Sequence, residues 1–258
     1  MKHLVVGTIV MALAASPALA QTIRVGVTAG PHAQVLEAVV PEARKLGLDV
    51  KIVEFTDYVI PNQALANKEI EINSFQHEPY LKNQIAKTGW KLVKVAYTIA
   101  SPMGFYSKKY KSFADIPAGG TIAIQNDPSN AARSLQLLAA NNVIKLREGA
   151  GVTAGVVDIV DNPKKFKFVE LDAAQLPRAV PDVDAAAVNN NYAVQAGLDP
   201  VKDSLIKETS DGPWVNILAV REEDKDKPWV ATFVQAYHSD AVKKFVTEKF
   251  KGAYVAAW

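Results

Sequence analysis

The 258-residue sequence carries 29 Lys and Arg against 27 Asp and Glu, a formal charge of +2, and no cysteine. So even a balance implies no nucleic-acid partner and no anionic membrane surface, and a chain without thiols forms no disulfides. Stability must come from an ordinary core, which a chain of this length with 49% hydrophobic residues can build, and the length suits two medium domains.

The first twenty residues read as an address. Lys2 supplies a positive start, residues 4–15 are apolar and uncharged, and Ala18-Leu19-Ala20 matches a small-x-small cleavage pattern. Residues 1–20 are therefore predicted to be a secretory signal peptide, with Gln21 as the first mature residue. A membrane anchor is the alternative; Ser16, Pro17 and the cleavage pattern argue against it. No later segment is apolar enough to span a bilayer. A lipid anchor needs a cysteine, so the expected product is a freely soluble periplasmic protein.

Beyond Gln21, strands and helices alternate. Ile23, Val25 and Val27 alternate as in a strand, which ends at the turn signal Thr28-Ala29-Gly30-Pro31. Val35, Leu36, Val39, Val40, Ala43 and Leu46 recur at helical spacing, with Gly47 as a stop and Pro41 expected to kink or break the helix. Val50, Ile52 and Phe55 mark a second strand. A short helix is predicted over 62–68, a strand over 70–74, a helix after Pro79, and strands over 92–97 and 103–107. The lysines at 108, 109 and 111 read as a solvated turn. In the second half, 121–125 is a predicted strand, and Asp127-Pro128 opens a helix with a cap and a proline at its first position. Strands follow over 166–171, 183–188 and 214–220, then one helical pattern over 228–250. This alternation predicts α/β units with mainly parallel sheets and no internal repeat.

Five polar clusters fall at predicted strand ends or helix starts: Thr56-Asp57-Tyr58, residues 75–80, residues 126–133, Asn189-Asn190-Asn191-Tyr192, and Trp214-Val215-Asn216. The heptad Phe75-Gln76-His77-Glu78-Pro79-Tyr80-Leu81 is either pocket wall or an ordinary helix start. Arg133, near a helix N-terminus, suits a carboxylate but equally an interdomain salt bridge. The asparagines offer donors and acceptors to a zwitterionic head group, or cap a helix. Tyr58, Phe75 and Tyr80 could wall an apolar ligand or belong to the core. Export, two domains and α/β alternation favour a solute-binding protein whose lobes close by a hinge on a ligand held at the strand ends.

These segments resemble the methionine-binding family of ABC-transporter substrate-binding proteins, the NlpA lipoprotein family. The similarity runs through Val25-Gly26-Val27-Thr28-Ala29-Gly30-Pro31-His32, Glu54-Phe55-Thr56-Asp57-Tyr58 with Pro61-Asn62, and the heptad at Phe75. It continues through Pro102-Met103-Gly104-Phe105-Tyr106-Ser107-Lys108-Lys109 and Ile124-Gln125-Asn126-Asp127-Pro128-Ser129-Asn130. Ala174-Gln175-Leu176-Pro177-Arg178, Asn191-Tyr192-Ala193 and Ala196-Gly197-Leu198-Asp199-Pro200 complete it.

The resemblance implies a type II periplasmic-binding fold: two α/β lobes joined by two crossing strands, with the ligand cleft between them. Residues 21–105 plus 221–258 would form lobe 1 and residues 106–220 lobe 2, closing about the strands near 103–107 and 214–220. It implies L- or D-methionine or a close analogue as ligand, with another small apolar amino acid as the alternative, delivered by a monomer to an ABC permease and its ATPase, with no cofactor and no nucleic acid. It places Tyr58, Phe75, His77 and Tyr80 around the thioether, Arg133 on the α-carboxylate, and Asn191 and Asn216 on the head group. Asn130 is a further candidate. Ser74 stands where family members usually carry another bulky aromatic, so it is either a structural change beside the pocket or an enlargement of the slot. Many members also carry a lipid-bearing cysteine that is missing here.

Three rival functions find less support. No G-x-S-x-G elbow, cysteine nucleophile or Gly-rich phosphate loop suggests an enzyme. A zinc-binding transport protein would need more ligands than His32, His77 and His238. A structural envelope protein would not need both the arginine and the asparagines.

Overall fold

The computed structural model describes residues 21–210 and 212–258; the predicted signal segment lies outside them. The first half runs β1 (Gln21–Thr28), α1 (Pro31–Lys45), β2 (Leu48–Phe55), α2 (Ile60–Ala66), β3 (Ile72–His77), α3 (Glu78–Thr88), β4 (Leu92–Tyr97) and β5 (Ile99–Ala100). The chain then builds β6 (Gly104–Tyr106), β7 (Thr121–Gln125), α4 (Pro128–Ala140), β8 (Lys145–Leu146), β9 (Ile159–Asp161), β10 (Lys167–Leu171), α5 (Leu176–Ala179), β11 (Ala185–Val188), α6 (Asn190–Gln195) and β12 (Ser204–Lys207). It returns through β13 (Asn216–Arg221), α7 (Pro228–Tyr237), α8 (Asp240–Phe250) and β14 (Val255–Ala256).

Two five-stranded sheets result, ordered β2-β1-β3-β13-β4 and β10-β7-β11-β6-β12. In each, the first two pairings are parallel and the last two antiparallel. The expectation of mainly parallel sheets is thus corrected to an even mixture. The cause is connectivity: β13 enters the first sheet, and β6 the second, from the opposite lobe rather than by a helical crossover. The chain crosses between the two sheets twice, through residues 101–103 and again between β12 and β13.

The first sheet is covered on one face by α1, α7 and α8, where Val35, Leu36, Val39, Phe233 and Val242 are fully buried. Each such side chain contributes about 1.5–3 kcal/mol of apolar burial. Leu65, Ile70, Leu81 and Ile217 fill the other face. The second sheet has its own two cores, around Phe105, Ile122 and Leu135, and around Leu176, Val188 and Tyr192.

Several boundaries differ from expectation for physical reasons. Helix α1 starts earlier, with Pro31 in its first turn, and runs on unbroken through Pro41. Pro41 and Glu37, whose carbonyl loses its partner, are both exposed, so water can satisfy the carbonyl. The single C-terminal helix is two helices. Ser239 interrupts the pattern, and its hydroxyl accepts a hydrogen bond from Val242 N at 3.4 Å to cap α8. Asp127 caps α4 as predicted, accepting from Asn130 N at 2.9 Å.

Candidate functional site

Strand β3 runs three residues further than its apolar pattern suggested. Asn216 and Ile217 of β13 pair with His77 and Gln76, and a register irregularity before Leu218↔Ser74 leaves Phe75 bulged. Bulges of this kind re-aim side chains beside functional sites. Beneath the bulge, Asn62, Asn73 and Gln76 form a closed buried amide network with bonds of 2.7–3.0 Å. A fully satisfied network of this kind rigidifies its surroundings.

His77 ends β3 and caps α3, its Nδ1 accepting from Tyr80 N at 3.1 Å. That bond leaves the proton on Nε2, which donates to Asn130 Oδ1 of the opposite lobe at 3.3 Å. Burial, with the nearby Arg133 charge, holds the His77 pKa down to about 3, so the ring is neutral. The Tyr80 hydroxyl donates to the Tyr58 carbonyl at 2.8 Å. Tyr58, Phe75 and Tyr80 pack with ring centroids 6.0–6.2 Å apart, and burial raises both tyrosine pKa values. These rings form an apolar wall on lobe 1.

The facing wall comes from α4 and the end of β11. Asn130 and Arg133 lie one turn apart on α4, on one face. Arg133 Nε and Nη2 donate to the two carboxylate oxygens of Glu208 at 2.8 and 2.5 Å, and Nη2 also donates to Ser101 O at 2.8 Å. Nη1 makes no hydrogen bond among the described residues. The guanidinium also lies 5.5 Å from the Trp214 ring. Asn189 sits at the N-cap position of α6 but makes no cap bond there. Its side chain accepts from Gln125 Nε2 at 2.8 Å and donates to Asn130 Oδ1 at 2.9 Å.

Two asparagines that face these walls retain unused polar atoms. Asn191 Oδ1 accepts from the Tyr58 hydroxyl at 2.5 Å, while its buried Nδ2 has no partner. Asn216 Nδ2 donates to Phe75 O at 3.2 Å and to His32 Nε2 at 3.3 Å, and its Oδ1 accepts nothing from the described residues. Burial lowers the His32 pKa to about 4.

Tyr58, Phe75, His77, Tyr80, Asn130, Arg133, Asn191 and Asn216 all line one cleft between the lobes, of about 340 Å³ including its mouth. Ser74 is not among the lining residues. It is buried between Val27 and Leu218 in the sheet and lies against the Tyr237 hydroxyl. His32, Gln76, Ser101 and Asn189 also line the cleft. Of these, His32 carried a signal, at a turn followed by a helix start. Glu208, behind Arg133, carried none. No group of three or more His, Cys, Asp or Glu among the described residues could hold a metal ion.

Two sheets of matching strand order, linked by two crossings and enclosing a polar-and-aromatic cleft, define a two-lobed solute-binding protein. The NlpA lipoprotein family profile matches residues 23–258, and the chain belongs to that family. It is 46% identical to the D-methionine-binding lipoprotein MetQ of Yersinia pestis over 92% of this chain and 88% of the relative. Among solved structures, it is 50% identical to a nutrient-binding protein from Burkholderia cenocepacia bound to methionine, with a TM-score of 0.89 over 92% of this chain and 100% of that one. An ABC-transporter periplasmic substrate-binding protein from Coxiella burnetii is 45% identical, with a TM-score of 0.88 over 91% of this chain and 100% of that one.

Proposed function

We propose that this protein binds methionine, or a close analogue, and delivers it to an ABC permease and its ATPase. The observation that carries this reading is the pairing, across one cleft, of an aromatic wall with unused polar atoms on Arg133, Asn191 and Asn216. Arg133 Nη1 and Asn191 Nδ2 are donors for the α-carboxylate, and Asn216 Oδ1 is an acceptor for the ammonium. Tyr58, Phe75, His77 and Tyr80 offer a soft, neutral slot for the thioether. The relatives named for methionine support the same ligand.

We place lobe 1 at residues 21–100 plus 216–258 and lobe 2 at residues 104–207, where sheet membership changes; the first boundary lies a few residues from the expected one, whereas β13, expected mostly in lobe 2, goes with the sheet of lobe 1. Cleavage after Ala20 puts the mature chain in the periplasm, and its lack of cysteine leaves no thiol for a lipid. The protein acts as a monomer, without cofactor or catalysis; its relatives carry names of binding proteins.

The test is a thermal-shift screen of unfolded-and-refolded, ligand-free protein against amino acids. Methionine at 100 times its Kd should stabilise by about 2.7 kcal/mol. A rise in melting temperature with some other amino acid, and none with methionine of either hand, would refute the ligand assignment.

A further inference from the structure

We propose that Glu208 decides which ligand charge the cleft accepts: it neutralises Arg133 from behind and thereby selects a zwitterion over a monoanion. This rests on the reading that the cleft takes an amino-acid head group.

Arg133 is the one residue lining the cleft that carries a formal charge at neutral pH. His32 and His77 are buried and neutral, and no carboxylate lines the cleft to pair an ammonium. An uncompensated arginine in such a place would favour any carboxylate, with or without an amino group.

Glu208 removes that preference. Its carboxylate takes both Arg133 Nε and Nη2, with side-chain exposures of 4% for the arginine and 11% for the glutamate. Glu208 is itself fixed: Oε2 accepts from Met103 N at 2.8 Å, and Glu208 N donates to Met103 O at 2.9 Å. It stands on one interlobe crossing, and Ser101 and Met103 stand on the other or at its edge. The other nearby acids are committed at loops and helix starts: Asp127 to Ser129 and Asn130 at the N-terminus of α4, Asp57 to Val59 N and Ile60 N at the start of α2, and Asp172 to Ala174 N. With Arg133 and Glu208 cancelling, the cleft presents donors and acceptors but no net charge. A zwitterion matches that; a monoanion would enter a closed site as an unbalanced charge. Glu208 does not touch the cleft, so it is a positioning residue acting through Arg133.

The experiment is calorimetry with methionine and with 4-(methylthio)butanoate, which lacks only the amino group. In the wild-type protein the butanoate should bind at least about 100-fold more weakly than methionine; binding within about tenfold would overturn the proposal. In Glu208→Gln the ratio of butanoate to methionine affinity should rise at least about tenfold, and Glu208→Asp should keep the wild-type ratio. Equal losses for both ligands in Glu208→Gln would mean that Glu208 only holds Arg133 in place. The wild-type comparison stands even if Glu208→Gln fails to fold. A wild-type protein that ignored methionine altogether would instead overturn the functional reading.

Discussion

The Tyr58 hydroxyl donates to Asn191 Oδ1 at 2.5 Å, joining residues that lie in different lobes and 133 positions apart. It is one of several bonds by which α6 reaches the first lobe. Asn190 Nδ2 donates to Ala253 O, Tyr192 OH to Thr56 O, and Gln195 Nε2 to Ala29 O. The Tyr58 bond also orients Asn191 so that its free Nδ2 is offered to a ligand.

Tyr58→Phe should therefore weaken methionine binding about tenfold, in line with the 1–3 kcal/mol lost when a buried acceptor is left unpaired. Stopped-flow measurements should assign the loss chiefly to faster release. Unchanged affinity would show that the bond neither holds the lobes together nor orients Asn191.

Arg133→Ala should abolish methionine binding in calorimetry. It should also lower the stability of the ligand-free protein by about 3–5 kcal/mol, because Glu208 keeps its charge in a mostly buried place without its partner. A variant of wild-type stability would contradict the ion-pair geometry, whatever its affinity.

Phe75→Ala removes the bulged aromatic from the wall. Loss of a buried anchor predicts a decrease of about 2 kcal/mol or more in binding free energy. An affinity within a few-fold of wild type would make Phe75 a bystander.

His32 and His77 are buried neutral, with folded pKa values of about 4 and about 3. In the unfolded chain a histidine titrates near 6.5. Below that pH the unfolded state takes up protons that the folded state refuses, so stability is full above about pH 6.5 and falls as the pH drops toward the folded values. The slope approaches about 1.4 kcal/mol per pH unit for each histidine. Urea midpoints should decline from about pH 6.5 to pH 5, above the range where carboxylates titrate, and His77→Gln should flatten the decline. A level profile in that window would show that neither ring is held neutral.

What the sequence disclosed and what it withheld follow from distance along the chain. Strands β4 and β7 fall on their predicted limits, and the Asp127-Pro128 helix start is as read, because each depends on adjacent residues. The extension of β3 through Phe75, Gln76 and His77 was not legible, since those residues are strand only because β13, some 140 positions later, pairs with them. The cleft residues themselves were legible as clusters. Which atoms remain free in them was not: Asn191 is half-occupied by Tyr58, and Arg133 by Glu208, 75 positions away. Ser74 faces Tyr237 while its neighbour Phe75 faces the cleft, as the alternation of side chains along a strand requires once β3 is known to run through both.

The placement of β13 between β3 and β4 bears on how the chain can be made. Until residues 216–221 leave the ribosome, β3 and β4 flank a missing strand and the first lobe has no complete sheet. That lobe therefore cannot finish folding ahead of the second, although β1 to β5 and three of its helices come first. The nascent chain stays open almost to its last residues, a state that a secretion channel can thread, and its two exposed strand edges would need a chaperone's cover until then.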